Sequence, residues 1–581
     1  MKKYISSLEI NYKTLFILVM ILFSLLRIYM GLNTQTWFFI NSPQDDLLML
    51  NYSNLPYHFL EWNIWTLTKN ISYSIFLFLV NISGVSYRLS LSILWIISGL
   101  IVTYSVYKFL TKNKIILLLT FIFIIFLPIG FDSACGTRIY RNAIMAPSAM
   151  IFLSSLFIFI NSSISKFQNK TKQMFFWGII LGLTFTFNFY IKEDGILTLP
   201  IFLVSIFTII IFNLYNHIKH WHKKSTSKNL ILKLTKITIL SLIPLLIFGA
   251  STIAYKEVNN HYFGVNEINT RTGGEIGEFY KNLLIIEDSN KTTEIWVPAS
   301  TIEKAWDASP TLQTRPDLLD DWLNTSWTQG GLIDNPLPGD HISWSLRDSL
   351  YNVGLFENEK NANDFFEKVN NELDDAFENG TLNKSEKIFI TDSATGRTFD
   401  EIKELKPYII SGFMECMFYD TIEVRTTPIP ETSLILSNNE TEKAEYMLND
   451  NLIQQDDLKI LPLKEKIPLT LMNINIKIYQ LVSYFLVLLS IISFIGLCSY
   501  QIKNKFKNRK NNALIGFLIM LIGTFIVQIF AIAWFGAWFK ADDMMKFYTV
   551  ADQGIFALFE VLSITGALSI LYKEKLIRNN R

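Results

Sequence analysis

Two adjacent carboxylates, Asp45 and Asp46, stand in the run Ser42-Pro43-Gln44-Asp45-Asp46-Leu47-Leu48-Met49. It follows shortly after an apolar stretch and lies among the aromatic residues Trp37, Phe38, Phe39 and Tyr52. A carboxylate at a low-dielectric surface has two chemical uses. With a raised pKa it accepts a proton as a general base, and as one of a pair it holds a divalent cation such as Mg or Mn. The same residues suit a plain structural role, because Asp caps helix N-termini and favours the first turn. A second group, Asp340, His341 and Trp344, opens an amphipathic run at Gly339-Asp340-His341-Ile342-Ser343-Trp344. Asp340 is most simply the N-cap of that helix. Alternatively the three residues form part of a binding surface, since an indole beside polar groups suits a polar ring. His217, His220 and His222 lie in a basic stretch where no metal site is expected. Cys135, Cys416 and Cys498 have neither zinc nor disulfide spacing.

The elements that must position these residues are membrane helices. Half of the 581 residues are hydrophobic and only 18% are charged, with the apolar residues clustered. Runs long enough to cross a bilayer lie near 14–33, 89–110, 114–131, 143–162, 174–191, 196–216, 237–255, 477–500, 513–538 and 555–572. The first reads as a retained helix, with no signal-peptide cleavage site after it. A further run, Ile75 to Ile82, is too short to cross and reads as a helix lying in the outer surface. Basic residues collect on the cytoplasmic side. With the N-terminus inside, the inner segments hold 24 of the 52 Lys and Arg but only Glu9 and Glu574 of the 51 acids. Both termini are therefore expected in the cytoplasm and residues 256–474 outside. That block carries helical spacing at Ile342, Leu346, Leu350 and Val353, and again from Phe365 to Phe377 before Gly380. Short runs at 387–390 and 433–436 read as strands. The expected fold is a polytopic α-helical membrane protein with a large extracytoplasmic α+β domain. Its parts are a membrane domain at 1–255 with a first outer loop at 34–88, the outer domain at 256–474, and three further spans at 475–581. No internal repeat is visible, and no nucleic-acid partner is implied.

Order and spacing in the first 200 residues carry a resemblance. Asp45-Asp46 in the first outer loop is followed by Lys69 before the surface helix, then Gly84-Val85, then Arg88-Leu89 at the next span. In this the chain resembles the GT-C superfamily, membrane glycosyltransferases that use sugars carried on polyprenyl lipids. It looks most like the branch of protein O-mannosyltransferases and aminoarabinose transferases. It lacks the two prolines that follow the lysine in that branch, having Asn70-Ile71 instead. The resemblance implies a GT-C-like fold. It also implies transfer of a sugar from a polyprenyl phosphate or diphosphate to an envelope glycan, glycolipid or protein hydroxyl on the outer face. By position, Asp45 or Asp46 would be the base, with Asp46 slightly favoured, and Asp340, His341 and Trp344 would be the acceptor-binding candidates, since Trp and polar groups suit sugar rings. Metal use varies across the superfamily, the sequence itself requires none, and Asp45 with Asp46 is where a Mg or Mn ion would sit.

Such a donor needs cationic partners for its phosphate. The candidates are Lys69, Arg88, Arg138, Arg141, Lys192 and Lys546, with Lys540 nearby. Arg138 and Arg141 are three apart and would share a face on a helical turn. The plain alternative for each is a side chain snorkelling to lipid headgroups. Lys192-Glu193-Asp194-Gly195 reads as a tight turn between spans, with Asp-Gly suited to it. Arg27 and Glu560 fall inside spans; Arg27 reads as structural or snorkelling, and Glu560 as reaching the outer interface. Two other functions fit the same composition: a transporter or flippase of lipid-linked sugars, and a non-catalytic envelope assembly protein.

Overall fold

The structure, a computed structural model, describes residues 2–579 except 35, 37–44, 46–47, 50–61, 165–169, 221–226, 425–437, 451–462 and 541–543. Among the described residues eight helices are long and apolar enough to cross a membrane: Tyr12–Leu32, Tyr87–Phe109, Asn142–Ile164, Glu193–Tyr215, Thr235–Phe263, Lys466–Lys503, Arg509–Phe539 and Val550–Tyr572. The chain is a multi-pass helical membrane protein.

In order, the first elements are α1 (Lys2–Leu32), α2 (Ser72–Ser83), α3 (Tyr87–Phe109), α4 (Lys114–Ile125), α5 (Asn142–Ile164), α6 (Lys170–Phe189), α7 (Leu199–His220) and α8 (Ser227–Phe263). Two of the ten expected spans fall short of the eight. The run at 114–131 is divided into the 12-residue α4 and a 3-10 turn at Pro128–Phe131. Pro128 lacks an N–H and disfavours helix at the residue before it. The run at 174–191 lies in α6, whose ends are polar (Lys170, Lys172, Gln173, Asn188), leaving a short apolar centre. The 12-residue α2 covers the expected surface helix.

α5 is the axis of the bundle. Its span is buried throughout and is packed by α3, α6, α7 and α16 (Val550–Asn579). Small residues such as Ala143, Ala146, Ser148, Ala149, Ser154 and Ser155 line it, which lets neighbouring backbones approach. Arg27 takes the structural place rather than snorkelling, and Glu560 is enclosed in the bundle rather than exposed at its end. Both are buried, and Arg27 donates to the Gly130 carbonyl at 3.2 Å with its guanidinium 3.9 Å from the Phe131 ring centroid.

Residues 264–405 form a helical body with its own core, built on α9 (Gly274–Ile285), α10 (His341–Asn352) and α11 (Glu359–Glu378) around Trp296, Trp306 and Trp322. The expected α+β domain is corrected here. Among the described residues there is no strand, only single bridges Ile286–Lys384 and Ile388–Arg397. The apolar run at 387–390 packs only Phe389 against the core of the body, while Ile388 and Ile390 stay 38% and 45% exposed. The run at 433–436 lies outside the described residues. The two expected amphipathic helices form, as α10 and α11.

The rest of the 256–474 block leaves that body. α12 (Lys406–Phe418) packs against α14 (Leu463–Lys503), α15 (Arg509–Gly536) and α16, and α13 (Asn438–Leu448) packs against α2. The body itself docks on the end of α15. Arg397 donates to the Trp534 carbonyl at 2.6 Å, and the Trp534 indole N–H donates to the Thr395 carbonyl at 3.1 Å. Gly339, at φ 55°, lies so close over Trp538 that a Cβ there would stand 2.2 Å from the ring.

Candidate functional site

The site lies where the bundle, the loop after α1 and the helical body meet. The loop at 62–70 carries Lys69, and the body fixes its course. Arg347 of α10 donates to the Ile64 carbonyl at 2.8 Å and the Thr66 carbonyl at 3.0 Å, and pairs with Glu359 of α11 at 3.0 Å. Both side chains of that pair are fully buried. The Thr270 N–H donates to the Leu67 carbonyl at 2.9 Å, and the Asn269 amide to the Thr68 carbonyl at 2.9 Å. Leu67 is held at φ 57°, a conformation that a leucine adopts only where its surroundings impose it.

So held, Lys69 reaches Asp45, with Nζ 2.8 Å from Oδ1. The Tyr140 hydroxyl donates to the same oxygen at 3.2 Å and accepts from Arg141 at 3.0 Å. Arg141 also grips both oxygens of Glu193, at 2.9 and 2.8 Å. Arg138 stacks on the other partners: its guanidinium lies 4.7 Å from the Tyr140 ring centroid and 5.4 Å from that of Phe547. The two arginines do meet at one place, but around Tyr140 in a stretch of turns rather than on one face of a helix.

The electrostatics are set by this crowd of cations. Burial alone would raise the Asp45 carboxyl. Lys69, Arg138 and Arg141 outweigh it and hold the group well below the usual carboxylate range. Burial likewise opposes the charge on Arg141, and Glu193, Tyr140 and Asp45 overcome it, so its pKa is raised.

The helical body contributes the other wall. Trp344 of α10 lies over Lys69, with Nζ 4.8 Å from a ring centroid, and over Arg271 at the same distance. Asp340 occupies the N-cap position of α10 without capping it by its side chain; the carboxylate takes Arg271 at 3.2 Å instead. His341 turns away, its ring 5.1 Å from that of Trp538.

Lys192 sits on the other side of the Phe547–Tyr548 aromatic pair, 4.5 Å from the Tyr548 centroid. Its ammonium is buried, makes no hydrogen bond among the described residues, and has Asp194 at 3.8 Å. A cavity of about 20 Å³ opens beside it, lined in part by Asn188, Asp194, Gln528 and Asp552, with room for one water. The expected turn at 192–195 is the start of a 3-10 helix, Glu193–Thr198. Gly195 permits it, because a Cβ there would be 2.2 Å from the Phe189 carbonyl oxygen.

Three of the candidate cations are spent elsewhere. Arg88 forks onto Asp450 and donates to the Thr34 carbonyl at 2.9 Å, tying α3 to the chain after α13. Lys546 pairs with the fully buried Asp132 at 3.0 Å and donates to the Thr421 carbonyl at 2.8 Å; Asp132 outweighs burial and raises its pKa. Lys540 pairs with Glu294. Asp46 lies outside the described residues. Tyr140, Arg271 and Tyr548 were not singled out by the sequence; only the tertiary structure brings them to the site. Among the described residues no group of three or more His, Cys, Asp or Glu could hold a metal ion.

No family model, no curated protein and no solved structure matches this chain.

Proposed function

We propose that this protein is a glycosyltransferase of the GT-C type, moving a sugar from a polyprenyl-phosphate or -diphosphate carrier to an envelope glycan, glycolipid or protein hydroxyl. The observation that carries this reading is one carboxylate, Asp45, set among Lys69, Arg138 and Arg141 at the end of a membrane bundle, with Trp344 lying over Lys69. These cations are the partners a donor phosphate needs. Charge supports the orientation, with α4 and α6 completing ten spans, both termini inside and the helical body outside.

In the transfer, the acceptor oxygen bonds to the anomeric carbon while the bond from that carbon to the phosphate oxygen breaks. The lipid keeps the phosphate, and the acceptor's proton passes to the aspartate. An Asp45 paired with Lys69 is a weak base. A donor phosphate competes for the same ammonium, so the carboxylate gains basicity only when the donor is in place. Lys192, with hydrogen-bonding capacity unused among the described residues, is a second phosphate partner.

The deciding experiment is transfer in vitro from an extracted polyprenyl-linked sugar by the wild type, Asp45→Asn and Asp46→Asn. Unchanged transfer in both variants removes the catalytic assignment. Comparison of envelope glycans with and without the gene names the sugar. One observation favours the transporter reading: Asp552 and Glu560 are buried in α16 with carboxylate oxygens lacking partners among the described residues, as residues on a translocation path do. Flux into liposomes without group transfer would establish it.

A further inference from the structure

At the end of the bundle away from Asp45, residues of α3 and α6 line a groove of about 620 Å³. Its walls are Leu100, Ile101, Phe176 and the stacked pair Tyr104 and Trp177, whose centroids are 5.7 Å apart. Lys108 and Lys172 stand at its mouth. Leu100, Tyr104 and Phe176 are 45%, 40% and 58% exposed, so the wall faces the space that lipid tails occupy.

The two ammonium groups have no acidic partner among the described residues. The sequence offers none locally: no Asp or Glu lies between Glu61 and Asp132, or between Asp132 and Glu193. Lys108 instead lies near rings, 5.5 Å from the Tyr104 centroid and 5.9 Å from that of Trp177. Holding a lysine over aromatic faces, beside a second lysine and with no counter-charge, leaves a cationic mouth on an apolar cleft. A ligand that completes it carries a phosphate and apolar tails.

We propose that this groove is a binding site for an anionic glycerophospholipid, its phosphate between Lys108 and Lys172 and an acyl chain along Phe176, Leu100 and Ile101. The site is separate from the proposed donor site. Lys108 closes the last turn of α3 and Arg88 stands in its first, and twenty residues of helix separate them by about 30 Å, the depth of a bilayer core. Basic clefts between spans on the lysine-rich side are where anionic headgroups are held.

Trp177 supplies a local reporter. The full chain is reconstituted in phosphatidylcholine vesicles holding about a fifth phosphatidylglycerol, with bromine on the acyl chains of one lipid or the other. The Trp177 contribution is the difference between wild type and Trp177→Phe. Brominated phosphatidylglycerol is expected to quench that contribution with roughly tenfold preference over brominated phosphatidylcholine per mole. Lys108→Gln/Lys172→Gln should abolish the preference, and Lys108→Arg/Lys172→Arg should keep it. Equal quenching by the two lipids in the wild type overturns the proposal without recourse to any variant. Displacement of brominated phosphatidylglycerol by polyprenyl phosphate at equal or lower mole fraction also overturns it, by assigning the groove to the carrier lipid.

Discussion

Asp45 is a carboxylate whose neighbours Lys69, Arg138 and Arg141 favour its charged form against the pull of burial. Its depressed pKa has a definite sign in a pH profile. A carboxyl held below the usual range keeps its charge as pH falls, and loses it only beneath the unperturbed value near about 3.9. The kcat/KM profile, which reports the free enzyme, should therefore stay flat from neutral pH down to about pH 4. The kcat profile would report the proposed donor complex, in which phosphate would draw Lys69 away, and its acid limb should lie higher. An acid limb in kcat/KM within the normal aspartate range would show that Asp45 is not the titrating group. Asp45→Asn should lower kcat by roughly 10²–10⁴, the usual worth of a general base. Lys69→Met should raise KM for the donor more than Lys540→Met does, because Lys540 pairs with Glu294 away from the site.

At the scale of elements, the loop that bears Lys69 has no regular structure and takes its course from α10. Arg347→Met removes its hydrogen bonds to Ile64 and Thr66 and strands Glu359 in a fully buried position. The cost is expected near 3–5 kcal/mol, read as a fall in Tm of the purified protein. Arg347→Met/Glu359→Leu should recover part of it, because the unpaired charge is then gone. Gly339→Ala forces a methyl into the Trp538 ring at a positive φ, and should lower the Tm and speed proteolysis between the body and α15. These elements were unequally legible. Apolar periodicity located α10 and α11, because an amphipathic helix writes its buried face into its own spacing. The run at 387–390 misled because a short apolar run makes a strand only where a partner exists to pair with it, and here one bridge, Ile388 to Arg397, is all that forms. Asp340 resembled a cap because capping is local chemistry, whereas Arg271 is 69 residues away in the chain and outcompetes it. Arg138 and Arg141 were visible as a pair. Tyr140 between them was not, because its part depends on Asp45 and Arg141 arriving from two sides.

For the whole molecule, the proposed orientation sets which positions a reagent outside the cell can reach. Cysteines introduced at exposed Gly380 and Asp400 of the body should react with a membrane-impermeant maleimide in intact cells, and one at Lys507 only after permeabilisation. Reaction at Lys507 in intact cells would invert the topology and place Asp45 on the wrong face for a lipid-linked donor. Cys135 and Cys416 are buried and should stay silent under native conditions.

Trp344 and Arg347 stand three residues apart on α10, so a single rigid rod bears both the ring above the ammonium and the hooks that shape the loop beneath it. Any tilt of that rod displaces ceiling and floor together. A hybrid built by exchanging the body for a foreign one would therefore have to import the first loop with it, since neither half retains its geometry in the other's absence.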